Sequence, residues 1–437
     1  MRPSRRLVAL TLALAAVTVL VTGLLPDASL ALLLLWGGLA LVGCADLLLS
    51  VASRSLTLEA LLPSQGYNGV ETRLRGTLSR KSGPLPRVIA ARLGQSAGLV
   101  VQDTVDLSPS EGAGEITFDI GLRPVERGTQ RVDDITLCYG SRFGLFEILP
   151  RWPLDLEIKI QPNLQPILSG EIQTQMLPLL DGLKTTTLKG EGSEFHQLRD
   201  YMPGMDPRSI DWKRSARMNA MVARETRAER NHQIMICVDH GHLMAQKLDT
   251  LSKLDHAINA ALAMTWAGVL GGDNVGFYTF GARPGQVVPP RAGRNAFGRI
   301  RAVTADLRES HSESNHTLAL THLHGLLSRR SLVIIFSDFV DSTSAELLIE
   351  NLAVMTRQHL VLYVALRDRE LDALAHPEDL SMDSVARAIS ASQLRQERAR
   401  VLDRLRRLGV LCLDSDPQSL TPELISRYMD IKSQGLI

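Results

Sequence analysis

Two apolar stretches at the start of the chain, the second with Asp46 near its end, limit its fold more than any other feature. The first runs from Leu7 to Leu25 and the second from Leu30 to Leu49. Each approaches the roughly 20 residues that a helix needs to cross the hydrocarbon core of a bilayer. The connection between them, at Pro26 and Asp27, is short and polar. The two stretches are therefore predicted to form a transmembrane helical hairpin.

Arginines flank both ends of this hairpin, with Arg2, Arg5 and Arg6 before it and Arg54 after it. Because cytoplasmic loops carry an excess of basic residues, both ends are placed in the cytoplasm and Asp27 outside. We therefore expect a protein of the inner (cytoplasmic) membrane, with two helices in the lipid bilayer and the bulk of the chain in the cytoplasm. A cleaved signal peptide is the alternative, but the second apolar stretch follows at once and argues against it.

Charge and cysteine content exclude several classes of protein. The chain has 48 basic and 47 acidic residues, so no overall charge attracts it to nucleic acid. Its cysteines are scattered and form no Cys-x-x-Cys pair, which predicts neither a disulfide framework nor a zinc site. They are Cys44, Cys138, Cys237 and Cys412.

At 437 residues the chain is too long for one ordinary hydrophobic core, and its pattern of apolar and polar residues changes along its length. After the hairpin (1–53), short alternating segments in 54–165 predict a β-sandwich-like domain. Residues 166–230 form a polar, charged segment with little periodicity. From 231 to 437, apolar strands alternate with helical patterns. This predicts an α/β domain with a doubly wound, mostly parallel sheet covered by helices on both faces.

Two aspartates follow strands of this α/β domain. Asp239 ends the apolar run "QIMICVD", and Asp338 follows "SLVIIF". Ligands of open parallel sheets bind at the carboxyl ends of the strands. We therefore expect a binding surface near Asp239 and Asp338.

The segment 166–230 carries a long ordered motif that resembles the signature of the domain-of-unknown-function-58 family. Upstream, Arg127-Gly128 and the run Phe143 to Phe146 resemble further elements of that family, with Arg142 in place of its usual proline. Met205 stands where the family usually has an aspartate. The matching signature residues are Gly190, Gly192, Glu194, Phe195, Leu198, Arg199, Tyr201, Pro203, Gly204, Arg208, Ile210, Asp211, Trp212, Lys213, Ser215, Ala216 and Arg217.

The resemblance implies a fold and a function. In this family the C-terminal part is similar to a von Willebrand factor A domain, and the proteins are associated with MoxR-type AAA+ ATPases. It implies a membrane-anchored, protein-binding adaptor that works with such an ATPase in chaperone-like assembly or maturation of an unidentified client protein. An envelope- or stress-related scaffold without an ATPase partner, or a metal-dependent hydrolase, is the alternative.

The resemblance also implies a place for a metal. Von Willebrand A domains often carry a metal-ion-dependent adhesion site, whose first loop reads Asp-x-Ser-x-Ser. Here Asp239 fits the first position, but Gly241 and Leu243 occupy the two serine positions and offer no side-chain oxygen. Ser314 or Asn315 would replace the threonine of the second loop, and Asp338 matches the third. Mg²⁺ prefers oxygen ligands. We therefore expect a degenerate site without cofactor, in which Asp239 caps the following loop, and Mg²⁺ held by Asp239 and Asp338 is the alternative.

Two catalytic motifs are missing from the sequence. It contains no phosphate-binding G-x-x-x-x-G-K-[ST] loop and no H-E-x-x-H helix. The pair His322 and His324 falls in a helical pattern, where residues two apart face different ways. We expect a binding protein and not an enzyme, so any ATP hydrolysis comes from a partner.

The charged residues of the signature segment allow two interpretations. Arginines beside a tryptophan can bind nucleic acid, but acidic residues alternate with them, which favours ion pairs and a protein-binding surface. We expect Trp212 to be a packing anchor and Asp211 to pair with Arg217. The candidate binding residues are Asp239, Asn315, Asp338, Arg199, Arg208, Asp211, Trp212, Lys213 and Arg217.

A basic helix is predicted from Gln393 to Leu408. Its arginines, including Arg398 and Arg404, suggest a surface helix with a basic outer face. Attraction to anionic lipids of the inner leaflet is a second interpretation, since the hairpin keeps the domain near the membrane.

Overall fold

The chain is a mixed α/β protein with two apolar N-terminal helices, as the sequence predicts. The computed structural model describes residues 1–24, 29–86, 88–101, 104–110, 112–177, 189–202, 205–227, 232–339, 345–377 and 381–437. Contacts divide the chain into two compact units, Met1–Gln161 and Pro162–Ile437.

The first unit begins with helices α1 (Arg5–Leu24) and α2 (Ser29–Leu49). Both are long and apolar enough to cross a membrane. They lie side by side, since Trp36 Nε1 in α2 donates a hydrogen bond to Thr18 Oγ1 in α1 at 3.1 Å. The predicted connection at Pro26 and Asp27 lies outside the described residues.

Asp46 joins the end of α2 to the β-rich part of the first unit. Its buried carboxylate accepts hydrogen bonds from the Phe143 amide at 2.6 Å and the Leu145 amide at 3.2 Å. The hydroxyl of Ser141 donates to the same carboxylate. The turn at 141–145, which overlaps the upstream family motif, therefore receives the end of this apolar helix.

Two β-sheets complete the first unit. One sheet has the order β2-β4-β8-β6; the other runs β1-β10-β9-β11-β3, with β5 joined to β9 and β7 to β5. Inward side chains of both sheets, such as Leu74 and Ile135, share one apolar core, which is the packing of a β-sandwich. The strands are β1 (Arg2–Pro3), β2 (Leu56–Leu61), β3 (Gln65–Tyr67), β4 (Thr72–Arg80), β5 (Ile89–Gln95), β6 (Leu99–Val101), β7 (Val105–Leu107), β8 (Glu115–Pro124), β9 (Gly128–Gly140), β10 (Phe146–Ile148) and β11 (Arg151–Gln161).

The second unit alternates strands and helices along most of its length. Its strands are β12 (Lys189–Asp200), β13 (Val222–Arg227), β14 (Gln233–Asp239), β15 (Lys247–Leu248), β16 (Leu251–Ser252), β17 (Asn274–Phe280), β18 (Pro284–Arg291), β19 (Leu332–Phe336), β20 (Leu360–Leu366) and β21 (Leu411–Ser415). Its helices are α3 (Gln165–Leu168), α4 (Trp212–Met218), α5 (Lys253–Leu270), α6 (Arg294–Asp306), α7 (His316–Leu326), α8 (Glu346–Met355), α9 (Arg369–Leu374), α10 (Met382–Arg407) and α11 (Leu420–Ser433).

Six of these strands form one sheet in the order β18-β17-β14-β19-β20-β21. Neighbouring strands are parallel except β17 and β18, so β18 is an antiparallel edge strand. If the six strands are numbered by their order along the chain, they lie across the sheet in the order 3-2-1-4-5-6. The direction of winding reverses between β14 and β19. Open sheets of this kind bind ligands beside that reversal, at the carboxyl ends of the strands.

Helices cover the sheet on both faces. Met235 and Cys237 of β14 pack in one core with side chains of α7, α8 and α10. The alternate residues of β14, such as Ile236, are buried as well, and α5 packs against β14, α6 and α11. Burial on both faces explains why these strands read as continuous apolar runs.

A buried polar network closes the amino end of this sheet. Asp273, just before β17, is fully buried and accepts hydrogen bonds from Lys432 Nζ at 2.8 Å and from the His232 amide at 3.0 Å. The hydroxyl of Tyr428 donates to its other oxygen. Because Tyr428 and Lys432 belong to α11, this network fastens the last helix to the sheet.

Candidate functional site

The carboxyl end of the sheet brings together three residues that the sequence singled out. Asp239 is the last residue of β14, and Asp338 follows the neighbouring strand β19. Asn315 precedes α7. All three line one open cavity of about 570 Å³, which we call the edge cleft. Its lining residues are Asp239, His242, Leu243, Ala282, Glu313, Ser314, Asn315, His316, Asp338, Phe339 and Leu347.

Asp239 is buried, and both of its carboxylate oxygens accept hydrogen bonds. Oδ1 accepts from the Gly241 amide at 2.9 Å and from the Ser314 hydroxyl. Oδ2 accepts from the Ser337 hydroxyl at 2.6 Å and lies 3.6 Å from His316 Nε2. Burial raises the pKa of Asp239, but the imidazole of His316 and the two hydroxyls outweigh it and lower that pKa below its ordinary value. Asp239 is therefore a satisfied carboxylate at neutral pH.

The space beside Asp239 explains the glycine in the first serine position. A Cβ atom built on Gly241 would lie 2.0 Å from Ser314 Oγ, so no other residue fits without displacing that hydroxyl. Ser314 thus supplies the hydroxyl that position 241 lacks. Asn315 points elsewhere, because its Oδ1 accepts a hydrogen bond from the Leu318 amide at 3.0 Å and caps α7. Of the two sequence candidates, Ser314 is the one that contacts Asp239.

Two cations hold Asp338. Lys253, the first residue of α5, has a side chain only 6% exposed, and its ammonium pairs with Asp338 Oδ2. Arg398 of α10 donates to Asp338 Oδ1 at 2.9 Å. A buried carboxylate is stable when it is paired in this way. The sequence patterns did not indicate Lys253, because it lies at a helix start 85 residues away from Asp338.

Arg398 connects Asp338 to the end of the next strands. Its guanidinium also donates to Asp414 Oδ1 at 3.1 Å and to the Leu366 carbonyl at 2.9 Å. Burial lowers the pKa of Arg398, but the negative charges of Asp338 and Asp414 outweigh it and raise that pKa above its ordinary value. The side chain therefore stays charged. Its assignment to the basic outer face of the C-terminal helix was wrong. Arg404, by contrast, is exposed and pairs with Glu346 at 2.6 Å.

These contacts decide whether the edge cleft fits Mg²⁺. The ion needs several oxygen ligands in nearly octahedral geometry. Asp239 is satisfied by amide and hydroxyl donors, while Asp338 is paired with Lys253 and Arg398. Within the described ranges, no group of three or more His, Cys, Asp or Glu side chains is placed to hold a metal ion. The side chains present do not fit a hard divalent cation.

The two histidines of the predicted helical pair, His322 and His324, lie in different surroundings. The ring of His322 lies 5.9 Å from that of Tyr278, whereas the ring of His324 lies 5.6 Å from that of His359. His322 and His324 therefore do not converge on one ligand, as their helical spacing predicts.

The signature segment contains regular structure where the sequence suggested an irregular assembly. Strands β12 and β13 pair antiparallel, and α4 lies between them in sequence. Asp211 caps α4 by accepting a hydrogen bond from the Arg214 amide at 3.1 Å. Its ion pair is with Arg224 Nε at 2.9 Å, so the predicted pair with Arg217 was wrong. The Arg224 guanidinium, and then the Arg214 amide, lower the pKa of the Asp211 carboxyl.

Trp212 lies at the surface. Its side chain is 66% exposed, so its prediction as a packing anchor was wrong. Lys213 and Arg217 of the same helix are also exposed, as is Arg208, while Arg199 is half-buried. We call α4 the signature helix. Pro203 and Gly204, and the side chains at 190–195, lie outside the described residues.

Comparison with known proteins finds a family model that is similar to part of the second unit. Residues 197–401 match the model of a family described as protein of unknown function DUF58. That range includes the signature helix, the edge cleft and the signature residues from Leu198 to Arg217, but not those from Gly190 to Phe195.

Curated relatives and solved structures are similar over part of the chain. The uncharacterized proteins Rv1480 of Mycobacterium tuberculosis and Mb1516 of Mycobacterium bovis are each 26% identical over 187 residues, which are 42% of this chain and 55% of the relative. The chain thus spans about half the length of the curated relatives it matches.

Two solved structures from Bacteroides are similar to a little under half of the chain. The conserved hypothetical protein BatB from Bacteroides thetaiotaomicron is 12% identical and covers 47% of this chain and 100% of its own, with a TM-score of 0.33. An aerotolerance-related membrane protein from Bacteroides fragilis is 13% identical and covers 46% of this chain and 99% of its own, with a TM-score of 0.30.

Proposed function

We propose that this protein is a membrane-anchored, protein-binding adaptor that works with a MoxR-type AAA+ ATPase in chaperone-like assembly or maturation of a client protein. Its second unit would be a von Willebrand A-like domain whose metal-ion-dependent adhesion site is degenerate. The six-stranded sheet, with its antiparallel edge strand and two aspartates at the carboxyl end, supports this fold assignment.

The observation that carries the proposal is the state of the two aspartates in the edge cleft. Both are buried, and protein donors occupy both oxygens of each. A general acid or base needs a proton position open to substrate, whereas these groups are bound to fixed neighbours. The cleft also exposes apolar side chains, with Leu347 60% exposed at its rim. A rigid cleft with apolar and hydrogen-bonding walls suits the binding of another protein.

The signature helix supplies a second contact surface. Trp212 is exposed beside Lys213 and Arg217, and Met218 at its end is 62% exposed. Tryptophan and arginine are enriched among the residues that contribute most to protein interfaces. An exposed tryptophan that does not stabilise its own fold is therefore expected to contact a partner.

The membrane hairpin would keep these surfaces at the inner face of the cytoplasmic membrane. Arg5 and Arg6 stand at the start of α1 and Arg54 follows α2, and the excess of basic residues favours the cytoplasm for both. Digestion of membrane vesicles tests this placement. Trypsin should cleave the second unit in inverted vesicles and leave it intact in right-side-out vesicles, and the opposite pattern would reverse the orientation.

Co-purification tests the partnership. The full chain is extracted in detergent from cells that co-express a MoxR-type ATPase, with ATP, with ADP or without nucleotide. We expect the ATPase to be recovered with the wild type and its yield to fall by about tenfold with Trp212→Ala or Leu347→Ala, the loss expected of an interface anchor.

Leu374→Ala is the matched control for these two variants. Leu374 is an exposed leucine of the second unit outside the edge cleft, and its replacement should leave the yield unchanged. Absence of the ATPase under all three nucleotide conditions would contradict the partnership. Equal recovery with all variants would instead place the contact elsewhere on the chain.

A further inference from the structure

Lys253 pairs with an aspartate that would hold a cation in an adhesion-type metal site. In an adhesion-type metal site, the aspartates at the ends of the first and fourth strands hold a cation, and here those places are taken by Asp239 and Asp338. The described structure puts the Lys253 ammonium against Oδ2 of Asp338, which itself lines the edge cleft. Lys253 also donates to Gln246 Oε1 at 2.7 Å, so the ammonium is held from two sides.

We propose that the ammonium of Lys253 is the resident cation of the edge cleft, and that it replaces a divalent metal and keeps such metals out. The edge cleft then binds its partner through hydrogen bonds and apolar contacts that need no metal. This inference does not depend on which protein the partner is.

The charges around Asp338 support this replacement. Asp338 and Asp414 contribute two negative charges, and Lys253 and Arg398 contribute two positive charges. The charges of these four side chains balance, and each is at most 21% exposed, while the half-exposed Arg367 lies 3.7 Å from Asp414 and adds a further positive charge. An added divalent cation would give this buried group an excess of positive charge, which burial makes costly.

Lys253 is better suited to this role than Arg398. Arg398 is bound at three acceptors, including Asp414 and the Leu366 carbonyl, so it fixes the ends of β20 and β21. Lys253 is a compact point charge on a flexible stem, and among the described residues its ammonium donates to Asp338 and Gln246. Removal of Lys253 alone should therefore uncover a carboxylate oxygen without releasing the strands.

The Asp239 side of the cleft offers two hydroxyl groups, those of Ser314 and Ser337. The hydroxyls of Ser314 and Ser337 could turn their lone pairs toward a cation, because each hydroxyl both donates and accepts. With Lys253 gone, carboxylate oxygens of Asp239 and Asp338 and these hydroxyls would form an oxygen-rich set, which is the kind that Mn²⁺ and Mg²⁺ prefer.

The test uses the full chain in detergent and measures Mn²⁺ binding by the loss of the electron paramagnetic resonance signal of free Mn²⁺. Lys253→Met keeps the length of the side chain and removes its charge. We expect no saturable binding by the wild type and about one Mn²⁺ per chain bound by Lys253→Met, since a vacated oxygen site takes one ion. The double variant Lys253→Met, Asp338→Asn should lose that binding.

Lys432→Met is the matched control, because Lys432 is also a buried lysine paired with a buried aspartate, Asp273, away from the edge cleft. It should gain no Mn²⁺ binding. If Lys253→Met does not give folded protein, Lys253→Gln keeps a hydrogen-bonding group without the charge and replaces it. Folding of each variant is checked by circular dichroism.

Two results would overturn the proposal. One is saturable Mn²⁺ binding by the wild type that is lost in Asp239→Asn, which would show that a metal coexists with the ammonium. The other is a folded Lys253→Met or Lys253→Gln that binds no more Mn²⁺ than the wild type. Neither measurement involves the ATPase, so failure of this inference and failure of the proposed partnership are distinguishable.

Discussion

Both ends of the six-stranded sheet contain a buried aspartate paired with a buried lysine, yet the two ends differ in their surroundings. At the amino end, Asp273 is fully buried and its partners Tyr428 and Lys432 come from the last helix. At the carboxyl end, Asp338 pairs with Lys253 but lines the open edge cleft. The amino-end pair is closed by side chains of its own chain, whereas the carboxyl-end pair borders a cavity.

The difference separates a structural network from a candidate binding site. Asp273 has one buried cationic partner among the described side chains that contact it, and that partner fixes a helix. Asp338 has two, Lys253 and Arg398, which come from two different helices. A carboxylate with two cations tolerates the loss of one better than a carboxylate with a single cation. The variants below use this difference in order of decreasing expected effect.

Lys432→Met should have the largest effect. It leaves Asp273 buried with the Tyr428 hydroxyl and the His232 amide but without its ammonium, and loss of one member of a buried pair costs about 3–5 kcal/mol. The measurement is the free energy of opening from hydrogen exchange of peptides in β14 and α5 of the full chain. A cost below about 1 kcal/mol, the level of an exposed pair, would show that the network is solvated.

Lys253→Met should have a smaller effect, because Arg398 still neutralises Asp338. We expect a loss of about 2–3 kcal/mol in the same hydrogen-exchange measurement, as for removal of a hydrogen bond to a charged group.

A double-mutant cycle sharpens this second prediction. Arg398→Lys keeps one charge but cannot reach all three acceptors of the guanidinium. Because Lys253 and Arg398 share Asp338, the two substitutions should cost more together than the sum of the single losses. Simple additivity would show that the two cations act independently.

Gly241→Ser should destabilise the protein although it restores the serine of the adhesion-site pattern. The new Cβ would lie 2.0 Å from Ser314 Oγ, and forced overlap in a packed site costs about 1–2 kcal/mol. Adding Ser314→Gly should recover most of that loss, because it empties the space. Gly325→Ala, in α7 with no atom within 4 Å of the new Cβ, is the control and should be neutral or stabilising.

The sequence contained enough information for the architecture and for part of the site. Apolar length predicts α1 and α2, and the apolar runs of β14 and β19 predict buried strands with aspartates at their carboxyl ends. These predictions rest on local periodicity, which burial imposes directly on the sequence. Asp239 and Asp338 follow from the same reasoning, since parallel strands end at one edge.

Lys253 and Arg398 could not be found in this way, because their pairing depends on where α5 and α10 start and how they pack. Nothing local distinguishes Lys253 from an ordinary residue at a helix start, and Arg398 stands among exposed arginines of the same helix. Trp212 shows the opposite error. Large aromatics are usually buried, and only the three-dimensional structure shows that this one is exposed.

The smallest expected effect is on the acid dependence of stability, to which Asp239 of the edge cleft contributes. The folded pKa of Asp239 is lowered below its ordinary value by His316 and the hydroxyls of Ser314 and Ser337. Its stabilising contribution is therefore complete above the unfolded pKa of about 3.9 and is lost as the pH falls through the folded pKa. In Asp239→Asn this loss is absent, so the decrease in stability as the pH falls below about 4 should be smaller than in the wild type. Ser337→Ala, which removes one donor at 2.6 Å, should give an intermediate decrease, and an unchanged acid dependence in both variants would show that Asp239 is not held as a charged acceptor.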